Sequence, residues 1–368
     1  MRVGVPKEVK NNEFRVALTH SGLRSLVSAG HEVLIQEGAG VGSGISDELY
    51  ASLGAKLVSS AQKAWDADIV IKVKEPQPEE FKFLRPNLYL FTYLHLANEL
   101  EVTKALLDSK TRAIAYETIQ LSDKSLPLLK PMSEVAGRMA PQVGASLLEK
   151  ANGGSGVLLG GVTGVSRGMV TIIGGGVAGV NSAKIALGLG AEVTIVDINH
   201  SRLAYLEDIF GHQISTRIST FTNIEECVAK SDLVIGTVLI PGAKAPKLVT
   251  REMIKSMRPG SVVVDVAIDQ GGCFETSKPT SHKSPTFVDE NVVHYCVTNM
   301  PGAVSRTSTF ALTNLTLRYL EKIVKDPVAA IKKDNSLKLG VNCWDGHCVY
   351  KQVSDDLGLP YKDITSLI

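Results

Sequence analysis

Residues 170–197, VTIIGGGVAGVNSAKIALGLGAEVTIVD, constrain the fold of this chain more than any other stretch. A β-branched run leads into the glycines Gly174, Gly176 and Gly179, and a helix-length segment of small and apolar residues follows. A second apolar run then ends in the acid Asp197. This order of strand, glycine turn, helix, strand and acid predicts a βαβ unit of the kind that binds dinucleotides.

Each glycine has a physical task in such a unit. Gly174 allows a tight turn off the strand, Gly176 lets a diphosphate approach the backbone, and Gly179 lets helix and strand pack closely. Free N–H groups at the helix amino terminus then face the diphosphate. Asp197 can accept hydrogen bonds from the adenosine ribose and repel a 2′-phosphate, which favours NAD over NADP. The alternative is a purely structural glycine turn, with Asp197 capping the next helix.

Composition narrows the class of protein. A chain of 368 residues is expected to form about two domains. The 39 Lys and Arg residues nearly balance the 38 Asp and Glu residues, which argues against nucleic-acid binding and against a basic membrane patch. The apolar runs are too short for a bilayer span, and the amino terminus lacks a signal-peptide pattern. Five scattered cysteines fit a reducing cytoplasm, and Cys343, His347 and Cys348 are too few for a zinc site.

The first third of the chain alternates β-rich runs with helix-compatible runs. The predicted strands are residues 2–5, 33–36, 56–58, 69–73, 88–91 and 112–115. The predicted helices are residues 21–29, 47–53, 61–64 and 99–107. Alternation of this kind indicates a parallel sheet with helices on both faces.

The rest of the chain predicts an inserted domain. A long helix begins at Pro131, with Ser133 as its cap, and ends near Leu148. Strands at 233–235, 262–265 and near 292–297 extend the βαβ unit into a nucleotide-binding sheet. A helix at about 307–324 returns the chain to the first domain, where the tail packs, and the lysine-rich residues 322–338 form a solvated helix face.

These elements together predict an α/β protein with two doubly wound parallel-sheet domains. Residues 131–305 form an NAD-binding Rossmann domain, which is inserted into a discontinuous amino-terminal substrate domain of residues 1–130 and 306–368.

Polar residues near the ends of predicted strands are candidates for chemistry. Arg15 suits bidentate capture of a carboxylate, the alternative being an isolated surface arginine. Lys72 and Lys74 share a strand face, which is costly in a buried strand unless they serve a charge; a solvated strand end is the alternative. His95, within an apolar run, is either a proton carrier or a hydrogen-bonded core residue. Asp269, just after a strand, either assists proton transfer or shapes a glycine turn.

Around these positions the chain closely resembles the bacterial-type L-alanine dehydrogenases, over almost its full length. Besides the glycine turn, the motifs that carry the resemblance are Arg2-Val-Gly-Val-Pro-Lys-Glu, Asn12-Glu-Phe-Arg15, Lys72-Val-Lys74-Glu-Pro, Phe91-Thr-Tyr-Leu-His95-Leu-Ala, Pro131-Met-Ser-Glu-Val-Ala-Gly-Arg138, Pro241-Gly-Ala-Lys-Ala-Pro-Lys247, Asp265-Val-Ala-Ile-Asp269-Gln-Gly-Gly and Asn299-Met-Pro-Gly-Ala-Val304. His20 and Ser305 depart from the family, which usually has proline at both positions, and we expect altered loop stiffness there.

The resemblance implies conversion of L-alanine, NAD⁺ and water to pyruvate, ammonium and NADH in a cytoplasmic homo-oligomer, commonly a hexamer, without a metal. Arg15 and Lys74 would bind the substrate carboxylate and carbonyl, and His95 with Asp269 would transfer protons. The matching cofactor positions, besides the three glycines, are Ser133, Val177, Ala178, Asp197, Arg202, Ser219, Val238, Leu239, Val266, Ala267, Ile268, Asp269, Lys278, Val297, Thr298, Asn299 and Met300.

Three alternatives remain at this point. The first is the NAD-binding component of a proton-translocating transhydrogenase, which shares the fold and the pattern around Arg15. Lys74, His95 and the lack of a membrane segment argue against it. A saccharopine dehydrogenase is a more distant relative that needs a roomier site. A pure NAD-sensing module would have no use for these three residues together.

Overall fold

The structure of this chain is a computed structural model that describes residues 1–238 and 245–368. It divides into two compact units: Met1–Met132 with Val304–Ile368 form the first, and Ser133–Ala303 form the second. Each unit contains one mostly parallel sheet with accompanying helices, so the predicted α/β class is confirmed. None of the helices in these described ranges is both long and apolar enough to cross a membrane.

The first unit begins with strands and helices that alternate along the chain. Its strands are β1 (Arg2–Val5), β2 (Glu32–Gln36), β3 (Lys56–Val58), β4 (Ile69–Ile71), β5 (Tyr89–Thr92) and β6 (Arg112–Ala115). Its helices here are α1 (His20–Ser28), α2 (Asp47–Ser52), α3 (Ala61–Trp65) and α4 (Leu100–Asp108). Every predicted element is present, but β4 ends two residues early. It ends there because the Val73 N–H donates to the Glu8 carboxylate instead of to a neighbouring strand.

Helix α5 (Lys130–Leu147) carries the chain into the second unit. It already begins at Lys130, so the prediction that Ser133 caps it is wrong, and Ser133 lies within its first turn. The following elements are β7 (Met169–Ile173), α6 (Val177–Gly188), β8 (Glu192–Asp197), α7 (His200–Phe210), β9 (Ile214–Ile218), α8 (Phe221–Lys230), β10 (Leu233–Gly236), α9 (Arg251–Lys255), β11 (Val262–Asp265), β12 (Thr286–Asp289) and β13 (Val292–Tyr295).

The chain then completes the first unit. The remaining elements are α10 (Ser305–Lys325), α11 (Pro327–Lys333), α12 (Asn335–Gly340), β14 (Val341–Trp344), β15 (His347–Cys348) and α13 (Lys351–Leu357). The lysines of residues 322–338 lie on three helices and not on one helix face, and four of these five lysines are exposed. Asp326 and Asp334 accept hydrogen bonds from following backbone N–H groups and so begin α11 and α12 as separate helices. Each of these short helices also buries one apolar side chain, Ile331 and Leu337 respectively.

Strand order explains where ligands can bind in each unit. The first sheet has the order β15-β14-β6-β5-β4-β1-β2-β3, and the second has the order β12-β13-β11-β10-β7-β8-β9. In both sheets the direction of strand addition reverses, between β1 and β4 in the first sheet and between β7 and β10 in the second. Ligands of open α/β sheets bind beyond the carboxyl ends of the strands at such a switch point.

Candidate active site

The glycine turn after β7 has the geometry that a dinucleotide diphosphate requires. Gly174 has φ +104°, a conformation that strongly favours glycine. A Cβ on Gly179 would clash with the carbonyl oxygen of Gly174, so α6 approaches β7 as closely as only glycine allows. At Gly176, which precedes the first residue of α6, a Cβ would meet no described atom within 4 Å. This open space in front of a helix amino terminus fits a diphosphate.

Asp197 and Arg202 both hold the backbone of Gly175 in this turn. The Gly175 N–H donates to Asp197 Oδ2 over 2.6 Å, and the Asn199 N–H donates to Asp197 Oδ1 over 2.8 Å. Arg202 Nε donates to the Gly175 carbonyl oxygen over 2.6 Å, and its guanidinium lies over the Tyr205 ring. Asp197 is half-buried, so its carboxylate remains within reach of a ribose.

Most of the other predicted cofactor positions follow the carboxyl end of a strand. Ser219 follows β9, and Val238 follows β10. Four positions follow β11, namely Val266, Ala267, Ile268 and Asp269, and four follow β13, namely Val297, Thr298, Asn299 and Met300. Ser133 on α5 and Lys278 do not belong to this group. Lys278 is exposed, with its Nζ 3.9 Å from Asp289 Oδ2. Leu239 lies outside the described residues.

In the first unit, Arg15 is buried and ion-paired. Its side chain is only 2% exposed, and Nε and Nη2 donate to the two carboxylate oxygens of Glu13 over 2.7 and 2.5 Å. Nη1 lies 3.1 Å from Met132 Sδ. The alternative of an isolated surface arginine is therefore wrong. Glu13, which the sequence analysis did not single out, fixes the orientation of the guanidinium.

The ionisation of Glu13 contributes to stability at neutral pH. Burial alone would raise the pKa of this carboxyl, but the hydrogen bonds and charge of Arg15, with help from Lys74, lower the pKa to about 2. Because the folded-state pKa is below that of the unfolded chain, the stabilisation is present above about pH 4.5 and is lost as the pH falls.

We therefore expect wild-type protein to lose about 2 kcal/mol more unfolding free energy than Glu13→Gln between about pH 5 and pH 3. Denaturant unfolding at several pH values measures this difference. The exposed Glu101→Gln variant should keep the wild-type slope. If the unfolding free energies of wild type and Glu13→Gln change in parallel with pH, the ionisation of Glu13 does not stabilise the protein.

Lys72 and Lys74 differ in environment, because the chain leaves the strand after Ile71. Lys72 is fully buried, and its Nζ donates to Glu8 Oε2 and to Glu80 Oε1, each over 2.9 Å. Lys74 is half-buried, so the expectation that both lysines share one strand face is wrong. Glu8 also accepts hydrogen bonds from the Val73 and Lys74 N–H groups, so the buried cluster orients the backbone that carries Lys74.

His95 follows β5 in a left-handed conformation, with φ 50°. Its side chain is 42% exposed and stacks on the Tyr93 ring at 5.7 Å between centroids, so the alternative of a core histidine is wrong. Glu117 Oε1 accepts a hydrogen bond from the His95 N–H over 2.6 Å and lies 4.0 Å from His95 Nδ1. Sequence patterns gave no signal for Glu117, because its role depends on β5 and β6 being neighbours.

The predicted residues of the first unit gather at one edge of its sheet. Arg15, Lys74, His95 and Glu117 follow β1, β4, β5 and β6, which are adjacent in that order. This edge therefore presents a guanidinium, an ammonium and an exposed imidazole. A guanidinium and an ammonium can bind an anionic substrate, and an imidazole can exchange protons.

The two departures from the family pattern are accommodated locally. His20 occupies the first residue of α1, a position where proline is favoured, and its ring lies edge-on to Phe310. Ser305 begins α10, and its hydroxyl donates to the Gly42 carbonyl oxygen over 2.6 Å. A proline at position 305 could not form that bond.

Comparisons with known proteins agree with this organisation. Residues 4–136 match the family described as alanine dehydrogenase/PNT, N-terminal domain, and residues 140–351 match alanine dehydrogenase/PNT, C-terminal domain. The chain is 58% identical to the alanine dehydrogenase of Bacillus subtilis, covering 98% of this chain and 96% of the relative. It is 57% identical to that of Geobacillus stearothermophilus, over the full length of both.

Solved structures show the same relationship. The chain superposes on an L-alanine dehydrogenase with a TM-score of 0.96 and 50% identity, covering 97% of this chain and 99% of the other. It superposes on a transhydrogenase from Sinorhizobium meliloti with a TM-score of 0.82 and 27% identity, covering 95% and 99%.

Proposed function

We propose that this chain, which belongs to the alanine dehydrogenase/PNT family, is an NAD-dependent L-alanine dehydrogenase that interconverts L-alanine and pyruvate with ammonium. The observation that carries the proposal is the set of Arg15, Lys74 and His95 beyond three adjacent strands of the first unit. The glycine turn and Asp197 of the second unit support NAD as the cofactor.

Arg15 and Lys74 bind the substrate in this proposal. Their positive charges attract the carboxylate of L-alanine and the carbonyl oxygen of pyruvate. Glu13 holds the guanidinium plane, and the cluster around Lys72 holds the backbone of Lys74. Two fixed cations position Cα and lower the barrier without forming a bond to the substrate.

His95 and Asp269 transfer protons. The hydride can leave Cα only when the amine nitrogen supplies its lone pair, so the substrate ammonium must first lose a proton to a base such as His95. His95 then releases this proton to solvent, takes a proton from the water that attacks the imine, and returns it to the nitrogen, which leaves as ammonia and becomes ammonium in water. NAD⁺, when bound, supplies the hydride acceptor. Asp269 is exposed just beyond β11, among the proposed cofactor positions.

The transhydrogenase component is the second candidate function, because this chain resembles a solved transhydrogenase. Such a component passes hydride between nicotinamides and needs no small organic substrate. Lys74 and His95, two positive or protonatable groups beside Arg15, favour the amino-acid substrate. The homo-oligomer and the cytoplasmic location remain predictions from the sequence.

One assay separates the two functions. Purified protein is incubated with NAD⁺ and L-alanine, L-serine, glycine or L-lysine at alkaline pH, and NADH formation is followed by absorbance. We expect the highest kcat/KM with L-alanine. Protein that binds NADH but forms none of it from any amino acid would contradict the enzyme and favour the transhydrogenase component.

We expect Asp197→Ala to narrow the preference for NAD over NADP by about tenfold or more, because a carboxylate beside the ribose repels a 2′-phosphate. The ratio of kcat/KM for the two cofactors measures the effect. Asp208→Ala, an exposed change on the neighbouring helix, is the matched control. An unchanged ratio in Asp197→Ala would refute the role of Asp197.

A further inference from the structure

Asp265 is a buried carboxylate for which the proposed reaction has no direct use. It ends β11, its side chain is inaccessible to solvent, and both oxygens accept hydrogen bonds. Oδ1 accepts from the Ala267 N–H over 3.1 Å, and Oδ2 accepts from the Cys273 N–H over 2.9 Å. The Ser277 hydroxyl also donates to Oδ2, over 2.5 Å. These three donors come from both ends of one loop and from the segment that follows it.

The loop closed by these bonds is residues 266–273, which carries Asp269. It contains a single 3₁₀ turn, Ile268–Gln270, followed by Gly271 and Gly272 with φ +93° and +78°. A Cβ on Gly272 would clash with Asp265 Oδ2, so the loop passes directly over the carboxylate. The Val266 N–H donates to the Gly236 carbonyl oxygen of β10. Beyond that bond, Asp265 accepts from the Ala267 and Cys273 N–H groups in place of a backbone carbonyl.

A second group holds the same loop from outside. Lys247 Nζ donates to the carbonyl oxygens of Gly271 and Phe274, over 2.6 and 2.9 Å. Lys247 is exposed, whereas Asp265 is buried. The loop is therefore fixed by an anion at its N–H groups and by a cation at its carbonyl groups.

Burial favours the neutral form of Asp265 and raises the pKa of its carboxyl, which its hydrogen bonds oppose. All three neighbours donate, so an acceptor-only carboxylate matches them and an amide does not. In Asp265→Asn, the NH₂ group would face the Cys273 N–H or the Ala267 N–H, and one hydrogen bond to the loop would be lost.

We propose that Asp265 is a positioning residue that holds the 266–273 loop in the conformation that presents Asp269 and the adjoining cofactor positions. This inference rests on the proposed function for the role of Asp269. The hydrogen bonds between Asp265 and the loop do not depend on the reaction, so their effect on the loop conformation can be measured without turnover. Because Asp265 does not contact the substrate, its loss should lower kcat and the affinity for NADH more than it changes KM for alanine.

The test compares Asp265→Asn with Asp232→Asn in the full-length protein. Asp232 is also buried, and it accepts hydrogen bonds from the Met169 N–H and from Arg258, but it lies at the amino end of β10. Both variants lose a buried carboxylate of the same unit, and only one of them contacts the loop. Ser277→Ala removes the hydrogen bond from the Ser277 hydroxyl to Asp265, and it replaces Asp265→Asn in the comparison if that variant fails to fold.

Four measurements are made on each variant: amide hydrogen exchange of peptides covering residues 266–274, the NADH dissociation constant by fluorescence, steady-state kcat and KM, and the thermal unfolding midpoint. We expect Asp265→Asn to speed exchange in the loop, weaken NADH binding and lower kcat by about tenfold or more. Ser277→Ala should change each in the same direction by less. Asp232→Asn should lower the unfolding midpoint and keep the other three near wild type.

Two results would overturn the inference: wild-type loop exchange in both Asp265→Asn and Ser277→Ala, or equal losses of every parameter in Asp265→Asn and Asp232→Asn. Failure of the proposed function has a different signature, since wild-type protein would then form no NADH from alanine. The loop exchange and NADH binding would still decide whether Asp265 holds the loop.

Discussion

His95→Ala is expected to lower kcat for L-alanine oxidation by about 10²–10⁴-fold, because the variant lacks the imidazole that takes the ammonium proton and activates water. His95 is exposed beyond β5, stacked on Tyr93 and held through its backbone by Glu117. The substitution therefore removes a reactive group and leaves the core intact. Steady-state kinetics with saturating alanine and NAD⁺ measure the loss.

Two controls make this result specific. The NADH dissociation constant of His95→Ala should stay near that of wild type, since His95 belongs to the first unit and all the proposed cofactor positions belong to the second. His212→Ala, an exposed histidine of the second unit, should keep wild-type kcat. A His95→Ala enzyme with wild-type kcat would remove His95 from the mechanism.

The second large effect is on stability. Lys72→Met is expected to lower the free energy of unfolding by about 3–5 kcal/mol, because it leaves the buried carboxylates of Glu8 and Glu80 without their shared cation. Denaturant unfolding monitored by fluorescence measures the change. Lys56→Met, at an exposed lysine 3.6 Å from Glu32, should cost no more than about 1 kcal/mol.

A triple variant separates charge from packing. In Glu8→Gln, Lys72→Met, Glu80→Gln no buried charge remains, so most of the lost stability should return. If the triple variant is as unstable as Lys72→Met alone, packing and not uncompensated charge accounts for the loss. Equal stability of Lys72→Met and wild type would show that the cluster does not hold this region.

The sequence predicted the glycine turn of the second unit in detail, because Gly174 and Gly179 each have a local steric reason. A tight turn at Gly174 and the close approach at Gly179 depend on a strand and a helix that are adjacent in the chain. The position of Asp197 follows from the same βαβ unit. Sequence patterns of this kind predict the structure well, because the residues that contact each other are close in the chain.

The partners of the proposed catalytic and binding residues could not be predicted in the same way. Glu117 meets His95 because β5 and β6 pair. Glu8 meets Lys72, 64 positions away in the sequence, because β1 and β4 pair. Such contacts depend on strand order, which no local pattern encodes. For Lys72, the sequence indicated that a lysine in a buried strand needs a counter-charge, but it did not identify Glu8 and Glu80 as the residues that supply it.

Four strands, β9, β12, β14 and β15, were not predicted from the sequence, for a related reason. β9 and β12 lie at the edges of the second sheet, and β14 and β15 extend the first sheet antiparallel to β6 and to each other. The edge strand β9 has the polar sequence Ile214-Ser-Thr-Arg-Ile218, and much of it is exposed, so it lacks the apolar run that identified the central strands. β15 has only two residues.

In the proposed reaction, hydride moves from Cα of L-alanine to NAD⁺ on this protein. The most direct test supplies L-alanine deuterated at Cα, with unlabelled NAD⁺, and determines the mass of the reduced cofactor. We expect reduced cofactor that carries the deuterium, together with pyruvate and ammonium in equal amounts. Reduced cofactor without deuterium, or no alanine-dependent reduction by protein that binds NADH, would contradict it.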